Sequence, residues 1–155
     1  MADRPDILVL PPLAFVAALG AALLLEVLVP WEVFTGGAPV WMRVFGAALV
    51  IGATALGLAG IWAFKTSGTH VHPHHPALVV VETGPYRFTR NPMYLGMIQL
   101  LIGLGLAFSS GWMIVVAPVL WLVLHFGVVL REEAYLKAKF GAPYQHFTSR
   151  TRRWL

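Results

Sequence analysis

Cysteine is absent from this chain. That excludes disulfides, thiolate metal sites and a catalytic thiol. Charge is scarce as well. Charged residues make up 12% and hydrophobic residues 58%, against about 25% charged in a soluble domain, so the chain belongs in a bilayer. The N-terminus, Met-Ala-Asp-Arg-Pro-Asp, lacks a basic region, and no small-residue cleavage site follows the first apolar run. Secretory processing is therefore not expected. No soluble basic domain is present to carry a nucleic-acid surface, so the net charge of +4 reads as topology and headgroup contact.

What is present in abundance is apolar sequence. At 155 residues the chain has the length of one domain. We expect an all-α polytopic membrane helix bundle, a single membrane domain over 1–155. Four transmembrane helices are expected at 7–29, 41–64, 93–108 and 112–131. A span needs ~20 apolar residues for a ~30 Å hydrocarbon core. The third is short, at about 16 residues. The second is rich in small residues, among them Gly46, Gly52, Ala53 and Gly60, which allow close helix approach and place it inside the bundle. The segment 65–92 is a long polar loop, and 132–155 is a cytoplasmic tail that begins as an extension of the fourth helix. That helix should end at Gly141, with Pro143 just beyond. Lys65, Arg87 and Arg90 lie in the middle loop, and Arg131, Lys137, Lys139, Arg150, Arg152 and Arg153 lie near the C-terminus. The opposite loops hold only Arg43. Four spans and the positive-inside rule then put both termini and the middle loop in the cytoplasm, at a plasma membrane of bacterial inner-membrane type.

The densest chemistry lies between Thr83 and Gly96. Gly84-Pro85 signals a turn. Asn91-Pro92 reads as a helix start, with Asn91 as N-cap and Pro92 at the first helical position. Arg87 and Arg90 thus precede a helix N-terminus at the membrane edge, which suits either an anionic group or headgroup anchoring. Glu132 and Glu133 stand at the same membrane face. His125 precedes Glu132 by seven residues, about two helical turns, so both should face one way. The alternative for the glutamates is a solvated helix extension, with Glu133 pairing to Lys137.

Gly84-Pro85-Tyr86-Arg87-Phe88-Thr89-Arg90-Asn91-Pro92-Met93-Tyr94-Leu95-Gly96, then Glu132-Glu133, then Phe140-Gly141-x-x-Tyr144 resembles the isoprenylcysteine carboxyl methyltransferase and phospholipid methyltransferase superfamily. The likeness covers roughly residues 57 to 153. It implies a pocket for S-adenosyl-L-methionine formed by Tyr86, Arg90, Asn91, Pro92, Tyr94, Gly96, Glu132 and Glu133. We add Gly84 at the turn, His125 on the Glu132 stripe, and His75 before the Ala77–Val81 run, lining the entrance. Arg87, Arg90 and Glu132 are the candidates for catalytic roles. The implied partners are membrane lipids and a lipid-like or amphipathic methyl acceptor: an isoprenylcysteine carboxylate, a phospholipid amine or a small lipid. Many members of that superfamily carry His where this chain has Asn91, which leaves the acceptor open. Two rivals stand beside this reading. One is an NADPH-dependent, sterol-reductase-like membrane enzyme, which the paired glutamates oppose. The other is a non-enzymatic membrane metal-binding protein using the His70–His75 cluster, where Pro73 and Pro76 break regular ligand geometry.

Overall fold

The computed structural model describes residues 4–70 and 76–155. Six α-helices account for most of them: α1 (Pro11–Leu28), α2 (Val40–Thr66), α3 (Pro92–Phe108), α4 (Gly111–Leu124), α5 (Leu130–Phe140) and α6 (Ala142–Arg150). A π-helical turn, His125–Val129, joins α4 to α5 without a break, and a 3-10 turn, Gly84–Arg87, precedes α3. Helix ends follow local chemistry. Proline opens α1, α3 and α6 within their first two positions, where its missing N–H costs no helical bond. Gly141, at φ +58°, ends α5 in a conformation that glycine adopts without strain.

The expected all-helical membrane bundle is present, and its expected span count is met in part. Among the described residues, three helices are long and apolar enough to cross a membrane: α1, α2 and the continuous helix Gly111–Phe140. The third expected span, α3, has 17 residues, about 25 Å at ~1.5 Å per residue, short of a ~30 Å core. The expected first span from Ile7 also starts later, at Pro11. The preceding residues instead run along the bundle, where Leu8 N–H donates to the Gly127 carbonyl at 2.9 Å.

Helices α2 and α3 make the most extensive pairing, and small residues are the reason. A Cβ on Gly103 would lie 2.9 Å from the Gly46 carbonyl oxygen, and one on Gly46 would lie 2.6 Å from the Ala107 nitrogen. The backbones touch directly, which is how helices associate where lipid removes the hydrophobic drive. The apolar core gathers Tyr94, Ile98, Leu101, Leu120, Leu124, Val128 and Val129 from α3, α4 and the π-helical turn. Outward faces carry Leu24, Val27, Phe45, Ile51, Leu58, Trp62, Val119 and Phe126, all exposed, as a lipid-facing surface requires.

The end of the bundle away from the site is closed. Gly111 N–H donates to the Trp31 carbonyl and Val33 N–H to the Ser109 carbonyl, both at 2.8 Å. Trp112 Nε1 donates to the Val29 carbonyl at 2.7 Å. Glu26 accepts from Trp31 N–H at 3.1 Å and from the Ser110 hydroxyl. The loops after α1 and after α3 therefore lie side by side, and Trp31 packs edge-on against Trp112.

Candidate active site at the mouth of the bundle

At the other end, the segment before α3 alternates its side chains. Gly84 (φ +58°) turns the chain, and Tyr86 goes inward against Phe64, ring centroids 5.3 Å apart. Arg87 and Phe88 point outward and are exposed, Thr89 is buried, and Arg90 is half-buried. Pro92 starts α3 and places Tyr94 within its first turn. Facing them, α5 presents Glu132, Glu133 and Leu136, while α6 turns back after Gly141 and buries Tyr144 and Phe147.

These elements enclose a cleft with an open mouth. Its polar lining includes Arg90, Asn91, Tyr94, Glu132, Glu133 and Tyr144, and its apolar or aromatic lining includes Phe64, Val79, Val80, Val81, Met93 and Leu136. Tyr94 donates its hydroxyl to the Glu132 carboxylate, 2.9 and 3.1 Å from its two oxygens. No cation partners Glu132 among the described residues.

Glu133 is the opposite case. Arg153 grips it with a two-bond fork, Nε to Oε1 at 2.9 Å and Nη2 to Oε2 at 2.8 Å. Arg90 Nη1 stands 3.2 Å from Oε1. The bonds to Glu133 push the Arg153 guanidinium up from its ordinary pKa. Burial pushes the Tyr144 phenol up to about 12, with the Glu133 charge adding to the rise and Arg90 opposing it. Burial, and then the Glu132 charge, push Tyr86 upward too. Both phenols are neutral donors at physiological pH.

The cleft thus brings together Tyr86, Arg90, Asn91, Tyr94, Glu132 and Glu133 of the residues expected from sequence. The others lie elsewhere. Arg87 is exposed outside it. Gly84 serves the turn and Pro92 is buried at the start of α3. Gly96 packs on α2, where a Cβ would come 2.9 Å from the Ala53 carbonyl. His125 does not share the face of Glu132, because the π-helical turn between them is wider than an α-turn and breaks the two-turn phase. Its ring stacks on Trp121, centroids 5.1 Å apart, and its Nδ1 accepts from Trp154 Nε1 at 3.3 Å. Asn91 holds the N-cap position but does not cap. Its Nδ2 donates to the Arg153 carbonyl at 2.9 Å. His75, with His72 and His74, lies outside the described residues. Among the described residues no group of three or more His, Cys, Asp or Glu is placed to hold a metal ion.

Several contributors carried little sequence signal. Pro5 lines the cleft from the segment before α1, and Phe147 from α6. The three-residue spacing of Tyr144 and Phe147 after the Gly141 stop was the available sign of an amphipathic closing helix.

The donor set fits S-adenosylmethionine. A carboxylate without a cation partner suits a positively charged ligand, since such a charge is costly to bury unpaired. Arg90 carries a buried Nε with no hydrogen-bond partner among the described residues, a vacant donor for an anionic group. Aromatic and apolar walls suit a flat base.

The model of the phospholipid methyltransferase family matches residues 41–143. An uncharacterized protein of Haemophilus influenzae is 37% identical over 65 residues, which make up 41% of this chain and all of that protein. No solved structure matches the chain.

Proposed function

We propose, because this chain belongs to the phospholipid methyltransferase family of membrane methyltransferases, that it transfers a methyl group from S-adenosyl-L-methionine to a lipid-like or amphipathic acceptor at the cytoplasmic membrane face. The observation that carries this reading is the half-buried Glu132 carboxylate, fixed by Tyr94 and facing a cleft that also holds the vacant Arg90 Nε. S-adenosylmethionine supplies an already activated methyl group, whose transfer is an in-line displacement. The protein's task is then alignment, dehydration and placement of the acceptor. Glu132 offers the charge that a cationic ligand needs, and Arg90 offers a fork for a carboxylate. Val79, Val80, Val81 and Met93 keep water from the apolar wall. An acceptor that must lose a proton would find Glu132 the nearest carboxylate without a cation partner.

A titration in detergent tests the donor. S-adenosylmethionine or its demethylated product should bind and raise the melting temperature, and NADPH should not. At a ligand concentration 100 times Kd, the stabilisation is about 2.7 kcal/mol. Folded protein that shows neither heat nor a thermal shift with the two adenosyl ligands, yet responds to NADPH, would favour the reductase-like rival.

The orientation forms part of this proposal. We read α3 as a fourth crossing, because the α1–α2 and α3–α4 loops meet at one end through Trp31 and Gly111, and a bilayer thins locally around a short helix. Ala138 and Thr35 are exposed near opposite ends of the bundle. With no native cysteine to interfere, Thr35→Cys should label from outside intact cells, and Ala138→Cys only after permeabilisation. The reverse pattern would overturn the cytoplasmic placement of the site.

A further inference from the structure

The two arginines on Glu133 are not equivalent. Arg153 makes both bonds of a fork at 2.9 and 2.8 Å, whereas Arg90 makes one contact at 3.2 Å and keeps a buried, unpartnered Nε. Arg153 is itself fastened by main chain and neighbours. Its carbonyl accepts from Asn91 Nδ2 at 2.9 Å and Thr89 Oγ1 at 3.2 Å, and the adjacent Arg152 carbonyl accepts from Arg90 N–H at 2.9 Å. Trp154 is pinned to His125. Residues 152–154 thus form a strap across the start of α3 and onto the π-helical turn. The strap lies beyond the stretch that matches the family model, which ends at residue 143.

We propose that Arg153 is a positioning residue: by holding the Glu133 carboxylate in its fork, it leaves Arg90 able to swing from Glu133 to an anionic group in the cleft. A partly buried carboxylate stripped of its last cation is strongly unfavourable. With Arg153 in place, Glu133 keeps a two-bond partner when Arg90 departs, so the exchange leaves no charge unpaired. Without Arg153, Arg90 becomes the sole cation on Glu133 and is held there. The side-chain exposures agree with these roles: Arg90 is 14% exposed and Arg153 37%, so the more buried guanidinium turns to the ligand and the outer one stays. The identity of the anionic group as the cofactor carboxylate rests on the methyltransferase reading. The exchange itself does not.

The test compares wild type, Arg153→Ala, Arg153→Lys, Glu133→Gln and the double variant Arg153→Ala/Glu133→Gln, all as the full chain in detergent. The first readout needs no ligand. Phenylglyoxal modification of Arg90, followed by mass spectrometry, should slow severalfold in Arg153→Ala and recover in the double variant, where no carboxylate traps Arg90. The second readout is affinity for S-adenosylmethionine. It should fall about tenfold in Arg153→Ala, fall less in Arg153→Lys, and recover in the double variant. A tail that merely braces the fold would make the double variant no better than Arg153→Ala in both readouts, and that result overturns the proposal. So does Arg90 labelling that ignores the loss of Arg153. If Arg153→Ala does not fold, Arg153→Lys with and without Glu133→Gln decides the same question. Wild type that fails to bind S-adenosylmethionine would sink the methyltransferase reading, while the labelling arm still decides the exchange.

Discussion

Glu132→Gln is expected to weaken S-adenosylmethionine binding by roughly 10- to 150-fold while leaving the melting temperature of the ligand-free protein near that of wild type. Glutamine keeps the shape and an acceptor for the Tyr94 hydroxyl, which now contacts both carboxylate oxygens. What it removes is the negative charge. A charge-assisted hydrogen bond contributes on the order of 1.5–3 kcal/mol, and that converts to the fold-change above. The fold should tolerate the change because no cation depends on Glu132 among the described residues. Glu133 makes the contrast. It anchors Arg153 and meets Arg90, so Glu133→Gln alone should lower the stability of the ligand-free protein. Isothermal titration beside a thermal melt separates the two. Affinity that stays at the wild-type value in Glu132→Gln would mean that the cleft takes its ligand through other residues.

Gly103→Leu is expected to do the reverse, damaging the fold before any ligand is added. A Cβ at position 103 would come within 2.9 Å of the Gly46 carbonyl oxygen and 3.0 Å of the Val50 nitrogen. Both are backbone atoms, so no side-chain rotation relieves the clash, and α2 and α3 must separate. Overpacking a core costs typically ~1–3 kcal/mol, and more where backbone must move. The control is Gly57→Leu on α2, where nothing lies within 4 Å of the added Cβ. Its change should stay within about 1 kcal/mol, since it also replaces glycine by a better helix former. Melting curves in detergent decide this, and equal melting temperatures for Gly103→Leu and Gly57→Leu would refute direct backbone packing.

What the sequence made legible was local. Pro92 at a helix start and Gly141 at a helix stop are governed by neighbouring residues, and both fell where expected. The small residues of α2 announced close packing, and Gly46 and Gly103 deliver it. The short third helix was legible too, although not its failure to reach full span length. The rest depended on distant partners. Asn91 has the chemistry of an N-cap, but the Arg153 carbonyl, 62 residues away in sequence, claims its side chain. For Glu133 the sequence offers Lys137 as an ion-pair partner, because nothing near it in sequence reveals Arg153 on top of it. His125 was assigned a face from an ideal helical period, and one π-helical turn shifted it into an aromatic group with Trp121 and Trp154.

The closed far end has a mechanical consequence. Hydrogen bonds among Val29, Trp31, Val33, Ser109, Gly111 and Trp112 stitch the loops there into a seam, while the other end, braced by the 152–154 strap, keeps an open mouth. The seam fixes the helices at that end, so the route for a ligand is through the opposite end, where the cleft is open.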